Sequence, residues 1–288
     1  MTLLPLVVIA LAGFAANSLL TRAALGGGHL DPMSFMVVRL VSGALLLSAL
    51  VSMRTATRTG RGSWLMALML AGYAVTFTLA YTRISAGAGA LLLFAAVHLT
   101  MFVAGLARGE RPSLRELAGT LLAIAGLVVL TMPGLEAPDL RGAALMVVAG
   151  ACWGVYSLEG RRSIDPLATT ADNFRRALLV SLPVALLARE STTVTSQGLV
   201  MAIVSGGVAS GLAYAIWYSV LPRLASWRAA LLQLAVPVIT AAAAVVVLAE
   251  PMTMRLVAAL TLVVSGIALT TPRAPSRPAR DGGDGARA

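Results

Sequence analysis

Apolar residues fall along this chain in long unbroken runs, at 3–20, 43–53, 91–107, 117–132, 199–221, 229–249 and 257–271. A helix crossing the hydrocarbon core needs roughly 20 such residues, and lipid leaves irregular backbone no partner for its polar groups. Reading the runs between polar breaks predicts ten spans: 3–21, 33–53, 64–82, 86–107, 114–132, 141–158, 167–188, 198–221, 227–249 and 254–271. Residues 272–288, rich in Pro, Gly, Arg and Asp, read as a disordered tail. Ala15 and Ala16 near the end of the first span leave room for a signal peptide. That span lacks the basic segment such peptides carry.

Composition sharpens this picture. Of 288 residues, 58% are hydrophobic and 12% charged, with a mean hydropathy of +0.88; a soluble domain needs more polar surface. All 22 basic residues are arginine. Without lysine there is no phosphate-binding Walker loop and no Schiff base to a cofactor. One cysteine, Cys152, excludes an internal disulfide, and two histidines, His29 and His98, cannot hold a metal alone. No cofactor is implied.

The net charge of +10 could signal nucleic acid, but its placement points to a bilayer. With the N-terminus in the cytoplasm, fourteen arginines fall in inside loops and the tail, and five in outside loops. The inside set runs from Arg54, Arg58 and Arg61 to Arg287; the outside set is Arg22, Arg83, Arg141, Arg189 and Arg255. That asymmetry follows the positive-inside rule only with an even span count near ten, both termini being cytoplasmic.

The two halves also overlay. An offset of 140 residues places Glu110 on Glu250, Gly126 on Gly266, Thr131 on Thr271 and Phe77 on Trp217. An offset of 139 places Phe14 to Asn17 on Trp153 to Tyr156, and Arg22 on Arg161; Asp31-Pro32 matches Asp165-Pro166 after a small gap. Five helices per half is an odd number, so the second half lies upside down in the membrane. The fold class is therefore all-α and integral to the membrane, with repeats at 1–132 and 141–271. The Trp153-Gly154 start, the two Asp-Pro pairs, Pro237 with Glu250, and the Gly126 and Gly266 endings resemble ten-helix EamA-type exporters of the drug/metabolite transporter superfamily. Phe14-Ala15 in place of Trp-Gly, and Val97 in place of a proline, depart from that pattern. The resemblance implies a central cavity lined by helices 1–4 and 6–9, with helices 5 and 10 peripheral. It also implies export of amino acids, related metabolites or drugs across a bacterial inner membrane.

Ionisable residues inside spans are costly and mark pathways or pairs. Arg39 lies on helix 2; Asp172, Arg175 and Arg176 lie at the equivalent depth of helix 7, spaced so that the acid reaches both arginines. They read either as polar walls at the two mouths of one cavity or as snorkelling arginines with a structural ion pair. Aromatic residues form a second constellation: Tyr73, Phe77 and Tyr81 on helix 3, Trp153 and Tyr156 on helix 6, and Tyr214, Trp217 and Tyr218 on helix 8. Rings with polar edges suit flat or zwitterionic organic substrates; the alternative is packing or interfacial anchoring, favoured for Tyr81 and Trp64. Asn17, His98 and Gln233 are lone polar groups of helices 1, 4 and 9, suited to interhelical hydrogen bonds or to ligand contact. His98, Asp172 and Glu159 are the proton-carrier candidates.

The reading that joins these observations is a secondary transporter, not an enzyme. It exports amino acids, large neutral or aromatic ones foremost, by alternating access, with the bilayer and a small-molecule substrate as partners and a proton as a candidate coupling ion. Helix 1 has no acid, so the membrane glutamate that small multidrug pumps of the superfamily use for cations is missing. An intramembrane enzyme would need paired aspartates or a nucleophile with a base, and neither pattern occurs.

Overall fold

The computed structural model describes residues 3–54, 60–109, 111–134, 137–188, 193–224, 232–233 and 235–270. They form ten helices: α1 (Leu3–Gly26), α2 (Pro32–Ser52), α3 (Trp64–Tyr81), α4 (Ala86–Ala107), α5 (Leu114–Thr131), α6 (Leu140–Gly160), α7 (Pro166–Leu187), α8 (Ser196–Arg223), α9 (Ala235–Leu248) and α10 (Met254–Thr270). The one β feature among the described residues is an isolated bridge between Leu30 and Val194, tying the α1–α2 and α7–α8 connections together. Glu110, Arg58, Arg189, Arg228, most of the expected start of the ninth span and the 272–288 tail lie outside the described residues.

Seven helices, α1 to α6 and α8, are long and apolar enough to cross a membrane. Helix α7 has 22 residues, but Asp172, Arg175 and Arg176 interrupt its apolar face. Helices α9 and α10 are shorter, at 14 and 17 residues.

Local chemistry sets the helix starts. Ser63, Ser85, Ser113 and Thr195 each accept a hydrogen bond from the backbone N–H three residues on, as N-caps do. The Asp-Pro pairs are caps as well: Asp31 accepts from Ser34 N at 2.9 Å and Asp165 from Ala168 N at 3.2 Å, with proline at the first helical position. Their repetition is therefore a matter of helix initiation, not of substrate chemistry.

The packing has an internal symmetry. Helix α1 packs on α8 and α9 as α6 packs on α3 and α4; α2 packs on α8 as α7 packs on α3; α2 meets α7, α4 meets α9 and α5 meets α10. Exchanging each helix with the one five places on leaves this set unchanged. The self-paired helices run antiparallel. The end of α2 meets the start of α7 through Arg54 and Asp165, and Gly126 of α5 meets Ala259 and Val263 while Gly266 of α10 meets Gly119 and Ala123. A Cβ on Gly266 would sit 2.5 Å from the Gly119 carbonyl oxygen, so that crossing depends on bare backbone. Helices α5 and α10 lie at the periphery, packed mainly on each other. Exposed apolar side chains, among them Leu4, Val8, Leu45, Val103, Leu121, Leu187 and Val246, give the bundle a hydrocarbon exterior.

Candidate functional site

The bundle is tied at both ends and closely packed in the middle. At the end where α1 terminates, the Arg22 end, Arg22 Nε bonds Glu250 Oε1 at 2.9 Å and Nη1 bonds the Tyr81 carbonyl at 3.0 Å. The other Glu250 oxygen accepts from Ala86 N at 2.8 Å, placing a carboxylate on the positive end of α4. One glutamate thus fastens α1, α3 and α4 to the α9–α10 turn, where Ala249 takes a left-handed φ of 53°.

At the opposite end, the Asp172 end, the loop before α3 docks on α7. Gly62 N donates to Asp172 Oδ2 at 2.9 Å, and Asp172 pairs with Arg175 at 3.2 Å and Arg176 at 2.9 Å. Arg175 is largely exposed, and Arg176 lies 5.0 Å from the exposed ring of Trp64. The three charges expected to pair do so, as a surface-side clamp. Glu159 pairs loosely with Arg162 at 3.8 Å near the same end.

Arg39 is elsewhere. Sequence reasoning left it either at a cavity mouth opposite the Asp172 group or snorkelling at headgroup depth; the structure buries it in the centre, 2% exposed, among the aromatic residues. Two features bring it there. Gly206 of α8 has no room for a side chain, because a Cβ would overlap the Arg39 carbonyl, so α2 and α8 touch through backbone. Residues 205–212 of α8 form a π-helical stretch, with Ser205 and Ser210 five residues apart. In an α-helix such residues diverge by about 140°; the wider π turn brings them toward the same face. Both hydroxyls therefore reach Asn17 Oδ1, at 2.8 and 3.2 Å.

Around this point the polar atoms close into a network. Arg39 Nε donates to Ser210 Oγ at 3.2 Å, and Nη2 donates to the Tyr73 and Tyr214 hydroxyls, each at 3.3 Å. Asn17 Nδ2 donates to the Tyr73 hydroxyl at 3.0 Å, and the Tyr214 hydroxyl donates to it at 3.3 Å. The guanidinium also stands 5.0 Å from the Phe77 ring centre and 5.2 Å from that of Tyr73. Rings then continue outward: Tyr73 to Trp153 at 5.4 Å, Trp153 to Tyr214 at 4.4 Å, Trp153 to Tyr156 at 5.5 Å and Tyr156 to Tyr218 at 5.8 Å. Phe14 touches Trp153, Tyr214 and Trp217 at 5.8 to 6.0 Å. It stands where the repeat offset put it, as the counterpart of Trp153.

Among the described residues, these rings pack together at the centre, where the resemblance implies a cavity. Between them is a space of about 10 Å³ bordered by Asn17, Ser18, Tyr73, Trp153, Tyr214 and neighbouring apolar groups, room for one water. A larger indentation of about 390 Å³ lies beside Arg54 and Asp165. It touches Leu212, Ala215, Ile216 and Ser219, on the face of α8 opposite Tyr214 and Trp217.

The structure brings together Asn17, Arg39, Tyr73, Phe77, Trp153, Tyr156, Tyr214, Trp217 and Tyr218. It leaves His98 apart, its Nε2 buried with no hydrogen-bond partner among the described residues. Gln233 is half-buried and bonds nothing in the cluster. Tyr81 packs at 4.7 Å on Phe77, fully buried rather than interfacial. Sequence reasoning missed Phe14, Ser205, Ser210 and Asn173. Asn173 is fully buried on α7, accepts from Ser63 N at 3.2 Å and donates to the Tyr156 hydroxyl at 3.4 Å. The offset of 134 that relates Asp31 to Asp165 also relates Arg39 to Asn173, a signal hidden by the louder charges beside it.

Comparison with known proteins agrees with this architecture. A family model described as the EamA-like transporter family matches residues 1–132 and 140–271. An uncharacterized protein of Pseudomonas aeruginosa is 46% identical over 278 residues, 96% of this chain and 97% of its own. A Salmonella typhimurium protein named "Probable amino-acid metabolite efflux pump" is 27% identical over 197 residues, 63% of this chain and 66% of its own. A solved crystal structure shares the fold, with a TM-score of 0.68 and 21% identity over 93% of this chain and 98% of its own.

Proposed function

The chain belongs to the EamA-like transporter family, and on that premise we propose that it exports amino acids or related metabolites across the bacterial inner membrane by alternating access, with large neutral and aromatic amino acids foremost. The observation that carries this reading is the centre itself: a buried aromatic cage enclosing a hydrogen-bond network, built by helices of both halves. Rings stack on flat side chains, and the network offers hydrogen bonds to a polar backbone end. The efflux pump named from Salmonella typhimurium points to the same substrate class. In this reading ten helices cross the bilayer with both termini cytoplasmic, so the Arg22 end faces outward. His98, Asp172 and Glu159 are the groups to test for proton coupling.

Two measurements test it. Proteoliposomes given labelled leucine, phenylalanine and tryptophan, with and without a pH gradient, should accumulate or exchange them well above empty liposomes. Efflux of lipophilic cations with no movement of any amino acid would instead favour a multidrug pump. Reporter fusions after Gly60 should read cytoplasm and fusions after Gly134 the outside; the same side for both would end the ten-span inverted arrangement.

A further inference from the structure

Arg39 is a buried cation without a counter-ion. Among the described residues no carboxylate pairs with it. Three of its five N–H groups meet neutral hydroxyls, and Nη1 has no hydrogen-bond partner among the described residues. A charge held dry on these terms is costly, so its position calls for a reason that packing does not supply.

The hydrogen-bond inventory around it is lopsided. Arg39 supplies five donors, Asn17 two, and Tyr73, Tyr214, Ser205 and Ser210 one each. The acceptors are Asn17 Oδ1, already taken twice, and hydroxyl oxygens; that of Tyr73, with two lone pairs, lies within reach of Asn17, Arg39 and Tyr214 together. The cluster is rich in donors and positive charge and short of acceptors. The missing piece is an anion with planar, forked acceptors, which is the geometry a guanidinium binds in two parallel bonds.

We propose that Arg39 is the carboxylate-recognition residue of the substrate site, with the hydroxyls of Tyr73, Tyr214 and Ser210 as its placeholders in the unloaded protein. This rests on the transporter reading above and narrows it: the substrate carries a free carboxylate, and its apolar part lies among Phe14, Trp153 and Trp217. The space of about 10 Å³ beside Tyr73 and Tyr214 is too small for such a molecule, so loading requires rings to swing aside. As they do, the two tyrosine hydroxyls leave Nη2 and the carboxylate takes their place. No acid in the cluster waits for the ammonium group, so an amine alone has nothing to gain from the site and a cation to face.

The test is a ligand series sharing one ring: phenylalanine, hydrocinnamate, phenylalaninamide and phenethylamine, added to purified full-length protein in detergent at low salt. Binding is read as thermal shift and by titration. Phenylalanine and hydrocinnamate should bind, and the two compounds without a carboxylate should bind roughly ten- to a hundred-fold more weakly or not at all. Arg39→Gln should erase that difference. Should it fail to fold, Arg39→Lys keeps the charge without the fork and should give intermediate affinity. Equal or tighter binding of phenethylamine, a shift that chloride reproduces, or no carboxylate-dependent shift in the series would overturn the proposal. If carboxylates bind through Arg39 but proteoliposomes move none of them, the transport reading fails and the assignment of Arg39 stands.

Discussion

Asn17→Asp is expected to stabilise the protein and stop it working. Asn17 Oδ1 and Arg39 Nε share the hydroxyl of Ser210, at 3.2 Å from each. A carboxylate at position 17 therefore lies one hydroxyl away from an unpaired guanidinium. Two opposite charges about 5 Å apart attract by about 3 kcal/mol at an effective dielectric of 20. Part of that is lost in desolvating the new charge, and Tyr73 must turn its hydroxyl proton toward the new acceptor. A net gain of about 1–2 kcal/mol would raise the melting temperature by about 2–8 °C in a chain of this size. The same internal anion would occupy the place proposed for the substrate, so transport and carboxylate binding should both vanish. A variant that melts lower than wild type, or melts higher and still transports, would show that the Arg39 cluster is scaffold. Asn17→Leu gives the contrast. It strands Ser205, Ser210 and Tyr73 at about 1–3 kcal/mol for each unsatisfied group and should reduce the amount of folded protein.

Glu250→Ala should release the Arg22 end. The carboxylate holds Arg22 and the first N–H of α4 at once, and its side chain is only 14% exposed. Hydrogen bonds to a charged group contribute about 1.5–3 kcal/mol when shielded. Losing about 2 kcal/mol of closure would raise the open-to-closed ratio at that end roughly thirtyfold. Cysteine labelling reads this directly, because Cys152 is the only native thiol. In a Cys152→Ser background, Ser18→Cys places a thiol beside the small central space, where Ser18 is 1% exposed. A membrane-impermeant maleimide added outside should label it slowly with Glu250 present and many-fold faster in Glu250→Ala. Glu250→Gln keeps the shape without the charge and should fall between. Equal labelling rates in all three would mean that Glu250 only trims a loop. A fast rate from the inside face alone would reverse the topology.

Much of the fold can be read from the sequence, because helix limits in lipid are set by local signals. Ser63, Ser85 and Ser113 cap α3, α4 and α5 within a residue of the predicted starts. Helix α1 runs five residues past its predicted end, to Gly26, because Arg22 looked like a stop. Its charge is met by Glu250, a partner 228 residues away that no local pattern could reveal. The aromatic members of the site were legible as repeated rings on three helices. The depth of Arg39 was not, since a mid-span arginine reads the same whether it snorkels or is enclosed. Its enclosure depends on Gly206 admitting the α2 backbone and on Ser210, 171 residues on, turning toward it.

The wide stretch at 205–212 has a bearing on ancestry. A helix carrying one residue more than its turns require is what a single-codon insertion leaves behind. A relative without that residue would run through as a regular α-helix, and everything beyond would be rotated by about 100°. In such a protein the hydroxyl now supplied by Tyr214 would have to come from the neighbouring codon. Residue-by-residue alignment across this segment would then equate side chains that point to different sides of α8. Relatives are therefore better matched in this region by which side chains meet α1 than by their order along the chain.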